Sequence, residues 1–172
     1  GITIPSGVDV KAFQQKYDID SPYILYAGRI DSSKQCDVLF QWFKRFRQEQ
    51  QLDVNLLCSG RLDIPLPAGD DIRYLGMLPE DEKFAAMAGV AAFVMPSSWE
   101  SFSIASLEAW GVSTPVLANA ASAVVRGHCQ RSNGGLYYSS YDEFVECLNL
   151  LLSRRDVRDR LGQNGLDYVQ SN

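Results

Sequence analysis

The sequence predicts an α/β fold: a doubly wound, mostly parallel, Rossmann-like sheet in one domain spanning residues 1–172. Three observations predict it. Short apolar runs rich in Val, Ile, Leu and Tyr alternate with longer stretches of helical periodicity. The short runs carry little polar alternation, which marks strands covered on both faces. The chain has 172 residues, 46% hydrophobic and 22% charged, enough for one full-sized core.

Taken in order, strands are predicted at Tyr23–Ala27, Val54–Ser59, Ile72–Leu75, Ala92–Met95, Pro115–Ala118 and Leu136–Tyr138. Gly28, Gly60 and Gly76 follow the first three and supply turns. Helices are predicted near Lys34–Gln50, Glu80–Ala88, Ser103–Val112, Ala123–Cys129, Tyr141–Leu152 and Asp156–Val169. In the first, Val38, Phe40, Trp42, Phe43 and Phe46 give an apolar face at helical spacing. Pro79 before Glu80, Asp81 and Glu82 reads as a helix start, with acids complementing the macrodipole. Ser103 reads as the N-cap of the helix after the fourth strand. The three tryptophans are expected to pack, Trp99 also bordering the Glu100 region, and His128 to lie in a loop or at a helix end.

Composition excludes several functions. With 16 Lys and Arg against 21 Asp and Glu, the net charge is −5, which argues against a nucleic-acid phosphate track. Four scattered cysteines, no C-x-x-C and one histidine exclude the common zinc spacings. Cys58 and Cys147 lie in apolar runs and read as reduced core residues, favouring a cytoplasmic chain. The uncharged runs Phe84–Trp99 and Ala109–Val125 are interrupted by Pro96, Gly111 and Pro115, so they read as packed segments without a transmembrane span. The chain opens at Gly1 without methionine, and a fragment of a longer protein is expected.

Parallel sheets bind ligands at the carboxyl ends of their strands, so the following loops carry the functional argument. Glu100 and Glu108 are the only charged residues between Phe84 and Val125. Carboxylates in apolar surroundings need partners, here from distant segments, backbone N–H groups or a polyhydroxyl ligand. After the first strand, Arg29 and Lys34 stand five positions apart behind Gly28. Two such cations suit a diphosphate, although a surface turn with a local Arg29–Asp31 pair accounts for the same residues. Small polar residues before the Ser103 helix leave its first N–H groups free for an anion.

In order, these pieces resemble the C-terminal domain of the retaining family 4 (group 1) glycosyltransferases, whose GT-B fold has two Rossmann-like domains. Ile4-Pro5-Ser6-Gly7-Val8-Asp9 is similar to the family's I-P-N-G-V-D segment, and Gly28-Arg29 with Lys34 to its G-R-x-x-x-x-K-G. Pro96 to Glu108 resembles P-S-x-x-E-x-F-G-x-x-x-L-E, and Asn133-Gly134-Gly135-Leu136 its N-G-L-L. The resemblance implies that Arg29 and Lys34 neutralise a donor diphosphate and that Glu108 holds the ribose hydroxyls. It implies that Glu100 contacts the donor sugar, with Gly28 and the Phe102 and Ser103 amides close to sugar and phosphates. The base would lie along Leu75, Gly76 and Met77, beside the Gly60 turn. The donor would be a UDP-, GDP- or ADP-linked sugar, with no further cofactor and no catalytic metal. The missing N-terminal acceptor domain would be required for transfer.

Three positions depart from the pattern. Gln35 follows Lys34 where the family has glycine, Ser103 replaces the glycine after Phe102, and Ser122-Ala123-Val124-Val125-Arg126 stands for G-G-x-x-E. Two alternatives therefore remain open: half of a sugar-nucleotide epimerase on the same fold, or a degenerate, non-catalytic nucleotide-binding domain.

Overall fold

The computed structural model describes residues 1–172. Its strands are β1 (Tyr23–Ala27), β2 (Asn55–Ser59), β3 (Ile72–Tyr74), β4 (Ala92–Met95), β5 (Val116–Asn119) and β6 (Gly135–Tyr138). Its helices are α1 (Val10–Lys16), α2 (Cys36–Gln50), α3 (Glu80–Ala88), α4 (Ile104–Gly111), α5 (Ala123–Ser132), α6 (Tyr141–Ser153) and α7 (Arg155–Ser171). The strands form one sheet in the order β3-β2-β1-β4-β5-β6, and every neighbouring pair is parallel. The doubly wound fold class is therefore correct, and the sheet is parallel throughout.

Period-two alternation divides the strand side chains between two cores. Ile24, Tyr26, Leu56, Cys58, Val94 and Leu117 face one side, where Leu39, Phe40, Phe43 and Phe46 of α2 meet Phe144, Leu148 and Leu151 of α6. Tyr23, Leu25, Leu57, Phe93 and Val116 face the other, with Phe13 of α1, Phe84 of α3, Trp110 of α4 and Val125 of α5. Burying one large apolar side chain contributes roughly 1.5–3 kcal/mol, so both layers are needed to hold the sheet. This two-sided burial is why the strands read as unbroken apolar runs.

The order of strands reverses between β1 and β4. Their ladder stops at Leu25–Phe93, two residues before either strand ends, whereas β1 and β2 stay paired as far as Ala27–Ser59. The carboxyl ends of β1 and β4 are thus free to diverge, and the loops β1–α2 and β4–α4 face each other across the reversal.

Most boundaries lie within one or two residues of expectation; three features do not. Helix α1 escaped notice, although Asp9 caps it by accepting from the Ala12 N–H at 3.0 Å. Helix α5 runs on to Ser132, so His128 is a buried residue within a helix and not in a loop or at its end. Trp99 does not pack: it is 74% exposed, while Trp110 is fully buried.

Candidate functional site: the carboxyl edge at the sheet reversal

The three glycine turns on the β1–β2–β3 side interlock. Gly28 N–H donates to Ser59 C=O at 2.9 Å, and Gly60 N–H to Gly76 C=O at 3.1 Å. Ser59 Oγ donates to the same Gly76 carbonyl and accepts from Leu78 N–H. At Gly60 (φ +134) a Cβ would stand 1.9 Å from the Gly28 carbonyl oxygen, so only glycine fits. Leu75, Gly76 and Met77 continue this edge, with Met77 75% exposed.

Beyond Gly28 the chain is wound around Asp31. Its carboxylate accepts from Ser33 Oγ at 2.7 Å, Lys34 N–H at 2.9 Å and Arg29 Nε at 2.5 Å. The Ser33 hydroxyl above all, then the Lys34 amide and the Arg29 guanidinium, hold this partly shielded carboxyl below its usual range. Tyr26 Oη donates to the Arg29 carbonyl at 2.6 Å, anchoring the loop from beneath. Arg29 is half-exposed and meets neither glutamate; its guanidinium stays with Asp31 and Ser33. The local Arg29–Asp31 pair foreseen as the ordinary reading is present.

Both glutamates find distant cations. Lys34 Nζ meets Glu100 Oε1 at 3.0 Å, joining the β1–α2 loop to the β4–α4 loop across the reversal. The pair is largely shielded, with 27% and 13% of the two side chains exposed. A second tie lies alongside it: Asn119 Nδ2, at the end of β5, donates to Gln35 Oε1 at 3.1 Å and Pro96 C=O at 3.0 Å. Glu108 is the fifth residue of α4, about 7.5 Å along the axis from Ser103 at 1.5 Å per residue. Its Oε1 meets Lys83 Nζ of α3 at 3.1 Å. Lys83 is the residue that sequence reasoning missed, because three acids precede it and the segment reads as a helix start.

Two of the departures from glycine, Gln35 and Ser103, fall at left-handed backbone, whereas Ser122 is extended at φ −76. Gln35 has φ +58 and Ser103 φ +64, conformations in which glycine carries no Cβ penalty. Ser103 occupies the N-cap position of α4, but its hydroxyl caps no N–H; it is buried and pairs with Ser106 Oγ at 2.7 Å. Phe102 beside it is 54% exposed. Arg126, in place of the expected glutamate, turns back and donates to the Ala120 carbonyl at 3.1 Å. No group of three or more His, Cys, Asp or Glu side chains converges as a metal cage. No helix is long and apolar enough to cross a membrane.

An all-parallel sheet reversing between β1 and β4, with Arg29 and Lys34 on one loop and Glu100 on the other, is a Rossmann-like domain of the GT-B kind. The chain belongs to the family of group 1 glycosyl transferases, whose profile matches residues 9–167. It is 28% identical to the MMP alpha-(1->4)-mannosyltransferase of Mycolicibacterium hassiacum, over 94% of this chain and 42% of that protein. It therefore spans less than half the length of that curated relative. Its fold is similar to the C-terminal domain of a group 1 glycosyl transferase, LpcC, from Francisella tularensis: TM-score 0.78, 18% identity, covering 100% of this chain and 98% of that one. It is also similar to Anabaena HepE in complex with UDP-glucose: TM-score 0.82, 15% identity, covering 99% of this chain and 51% of that one.

Proposed function

We propose that this chain is the donor-binding domain of a retaining, family 4 hexosyltransferase, taking a nucleotide-diphosphate sugar and working with an N-terminal acceptor domain of the same protein. The observation that carries the reading is the Lys34–Glu100 pair, which sets a cation and a carboxylate side by side where the strand order reverses. The HepE structure with UDP-glucose, similar in fold, supports the choice of ligand class.

In this reading Lys34 uses its remaining ammonium donors on the diphosphate, and Arg29 swings from Asp31 to offer a bidentate fork. Both cations stabilise negative charge as the nucleotide leaves. Glu100, released from Lys34 on one oxygen, accepts from hydroxyls of the donor sugar. Glu108 keeps Lys83 on Oε1 and turns Oε2 to the ribose diol. The free amides at the start of α4, beside Phe102 and Ser103, face sugar and phosphate. The turns at Gly28 and Gly60 bring backbone close to the nucleotide, and the base lies along Leu75, Gly76 and Met77. All four cysteines are unpaired, which suits a reducing, cytoplasmic location.

Calorimetric titration with UDP, GDP, ADP and their sugar conjugates tests the reading. Arg29→Ala and Glu108→Ala should each weaken binding of the preferred nucleotide by about tenfold, the size of one charge-assisted hydrogen bond. Unchanged affinity in both variants overturns the placement of diphosphate and ribose. In the full-length parent, acceptor-dependent nucleotide release with the donor's anomeric configuration kept is the expected outcome. Epimer formation, or binding without turnover, would assign one of the alternatives. The isolated domain should transfer sugar negligibly, since cleft closure excludes water and completes the site.

A further inference from the structure

Lys34–Glu100 is the only hydrogen bond or ion pair that runs directly between the β1–α2 and β4–α4 loops. In the donor site proposed above, both side chains turn part of their bonding to the ligand, so that contact loosens on binding. The sheet does not replace it, because the β1–β4 ladder ends at Leu25–Phe93, before either loop begins. What remains is Asn119, the last residue of β5. It stands on a fixed base: it is paired with Tyr138 of β6, and its own carbonyl accepts from Ser122 N–H at 3.1 Å.

The Asn119 carboxamide reaches three loops. Nδ2 donates to Gln35 Oε1 at 3.1 Å, in the β1–α2 loop, and to Pro96 C=O at 3.0 Å, where the β4–α4 loop starts. Oδ1 accepts from Ala121 N–H at 3.0 Å, in the β5–α5 turn. The partners force this orientation. A proline carbonyl only accepts and a backbone N–H only donates, so Nδ2 faces Pro96 and Oδ1 faces Ala121. The second Nδ2 proton then needs an acceptor, which fixes Gln35 with Oε1 toward Asn119. Pro96 is buried and Gln35 and Asn119 are half-buried, so water competes weakly for these bonds. A glycine at position 35 would have no arm to reach Asn119.

We infer that Asn119 is a positioning residue for the donor site: through Gln35 and Pro96 it holds the cation-bearing loop beside the carboxylate-bearing loop whether or not Lys34 meets Glu100. The inference rests on the donor site proposed above. None of the atoms in this junction is assigned to the ligand, so the junction stays closed while the ion pair loosens. A ligand that bridges the two loops gains from their being held in place beforehand, because less ordering is left to binding. A nucleoside, resting on the β3 edge and Glu108, gains little; a nucleoside diphosphate, which also engages Lys34 and Arg29, gains most. Asn119 touches neither ligand and acts only through the loops.

Asn119→Ser tests this, because a serine hydroxyl still accepts from Ala121 N–H yet is too short to reach Gln35 or Pro96. The chain and its variant are titrated with UDP, GDP and ADP, and with uridine, guanosine and adenosine followed by NMR. The preferred diphosphate should bind about tenfold more weakly to the variant, while the matching nucleoside binds almost unchanged. A second measurement needs no nucleotide. In proton–nitrogen spectra the Asn119 carboxamide protons, identified by their loss in Asn119→Ser, should exchange slowly with water and remain slow in Lys34→Met. Unchanged diphosphate affinity in Asn119→Ser, an equal loss for diphosphate and nucleoside, or fast carboxamide exchange in Lys34→Met would each overturn the inference. Absence of binding by every nucleotide would refute the donor-site reading instead, and exchange in Lys34→Met would still judge whether the junction stands without the ion pair.

Discussion

Two regions reach the carboxyl edge of the sheet on left-handed backbone, and they treat side chains in opposite ways. In the turn cluster behind β1, β2 and β3, the Gly28 carbonyl occupies the space a Cβ at Gly60 would need. At the two helix starts facing each other across the reversal, Gln35 and Ser103 carry side chains at φ +58 and +64. An L residue there costs roughly 1–2 kcal/mol. Each side chain gains a hydrogen bond that offsets part of it, Gln35 with Asn119 and Ser103 with Ser106. Glycine is thus imposed by space at Gly60 and only favoured by energy at the two helix starts. Two departures from the glycine pattern, Gln35 and Ser103, fall where the second condition holds.

The largest expected effect breaks or confirms the first half of that contrast. Gly60→Ala must move two backbone segments apart, and it should cost roughly 3 kcal/mol or more of unfolding free energy. Chemical denaturation followed by circular dichroism measures it. A loss below about 1 kcal/mol would mean that the turn relaxes easily and that space does not dictate glycine here.

The next effect concerns the bridge between the two regions. Lys34→Met should weaken nucleoside diphosphate binding by about ten- to a hundredfold, because a partly shielded charge-assisted contact is lost. Glu100→Gln removes the competitor for the same ammonium, so nucleoside diphosphate affinity should hold or rise while the gain from an attached sugar falls. Titrating both variants with the nucleotide and its sugar conjugate checks this. Parallel losses in the two variants would mean that the pair is only a structural tie between the loops.

The same contrast explains how much could be read in advance. The strands were legible because burial on both faces leaves unbroken apolar runs, and helical stretches between most of them marked the sheet as doubly wound. Gly60 was visible as a turn, but its necessity was not, since the atom that forbids a side chain belongs to Gly28, thirty-two positions earlier. Glu100 announced itself by isolation, and its partner Lys34 was already under suspicion; only folding could show that they touch. Lys83 stayed hidden because an acidic first turn explains its surroundings locally, while its partner Glu108 lies on another helix. The depth of His128 was concealed by a segment of small and polar residues whose other half is Tyr168, forty positions later. What composition and spacing reveal is local; the pairings across the reversal are not.

The smallest effect sharpens the second half of the contrast. Gln35→Gly and Ser103→Gly each relieve left-handed strain and each forfeit one side-chain hydrogen bond, and glycine also raises the entropy of the unfolded chain. These contributions are each about 1 kcal/mol and oppose one another, so the net change in stability should stay within about 1 kcal/mol of zero. Function should respond more than stability at Ser103, because removing the side chain lets backbone approach a bound sugar more closely. Nucleotide-sugar affinity in Ser103→Gly should therefore rise relative to that of the bare nucleotide, with Gln35→Gly changing both alike. If Ser103→Gly destabilises the fold by several kcal/mol, the buried Ser103–Ser106 pair is an indispensable part of the α4 start, and this region is as constrained as the glycine turns.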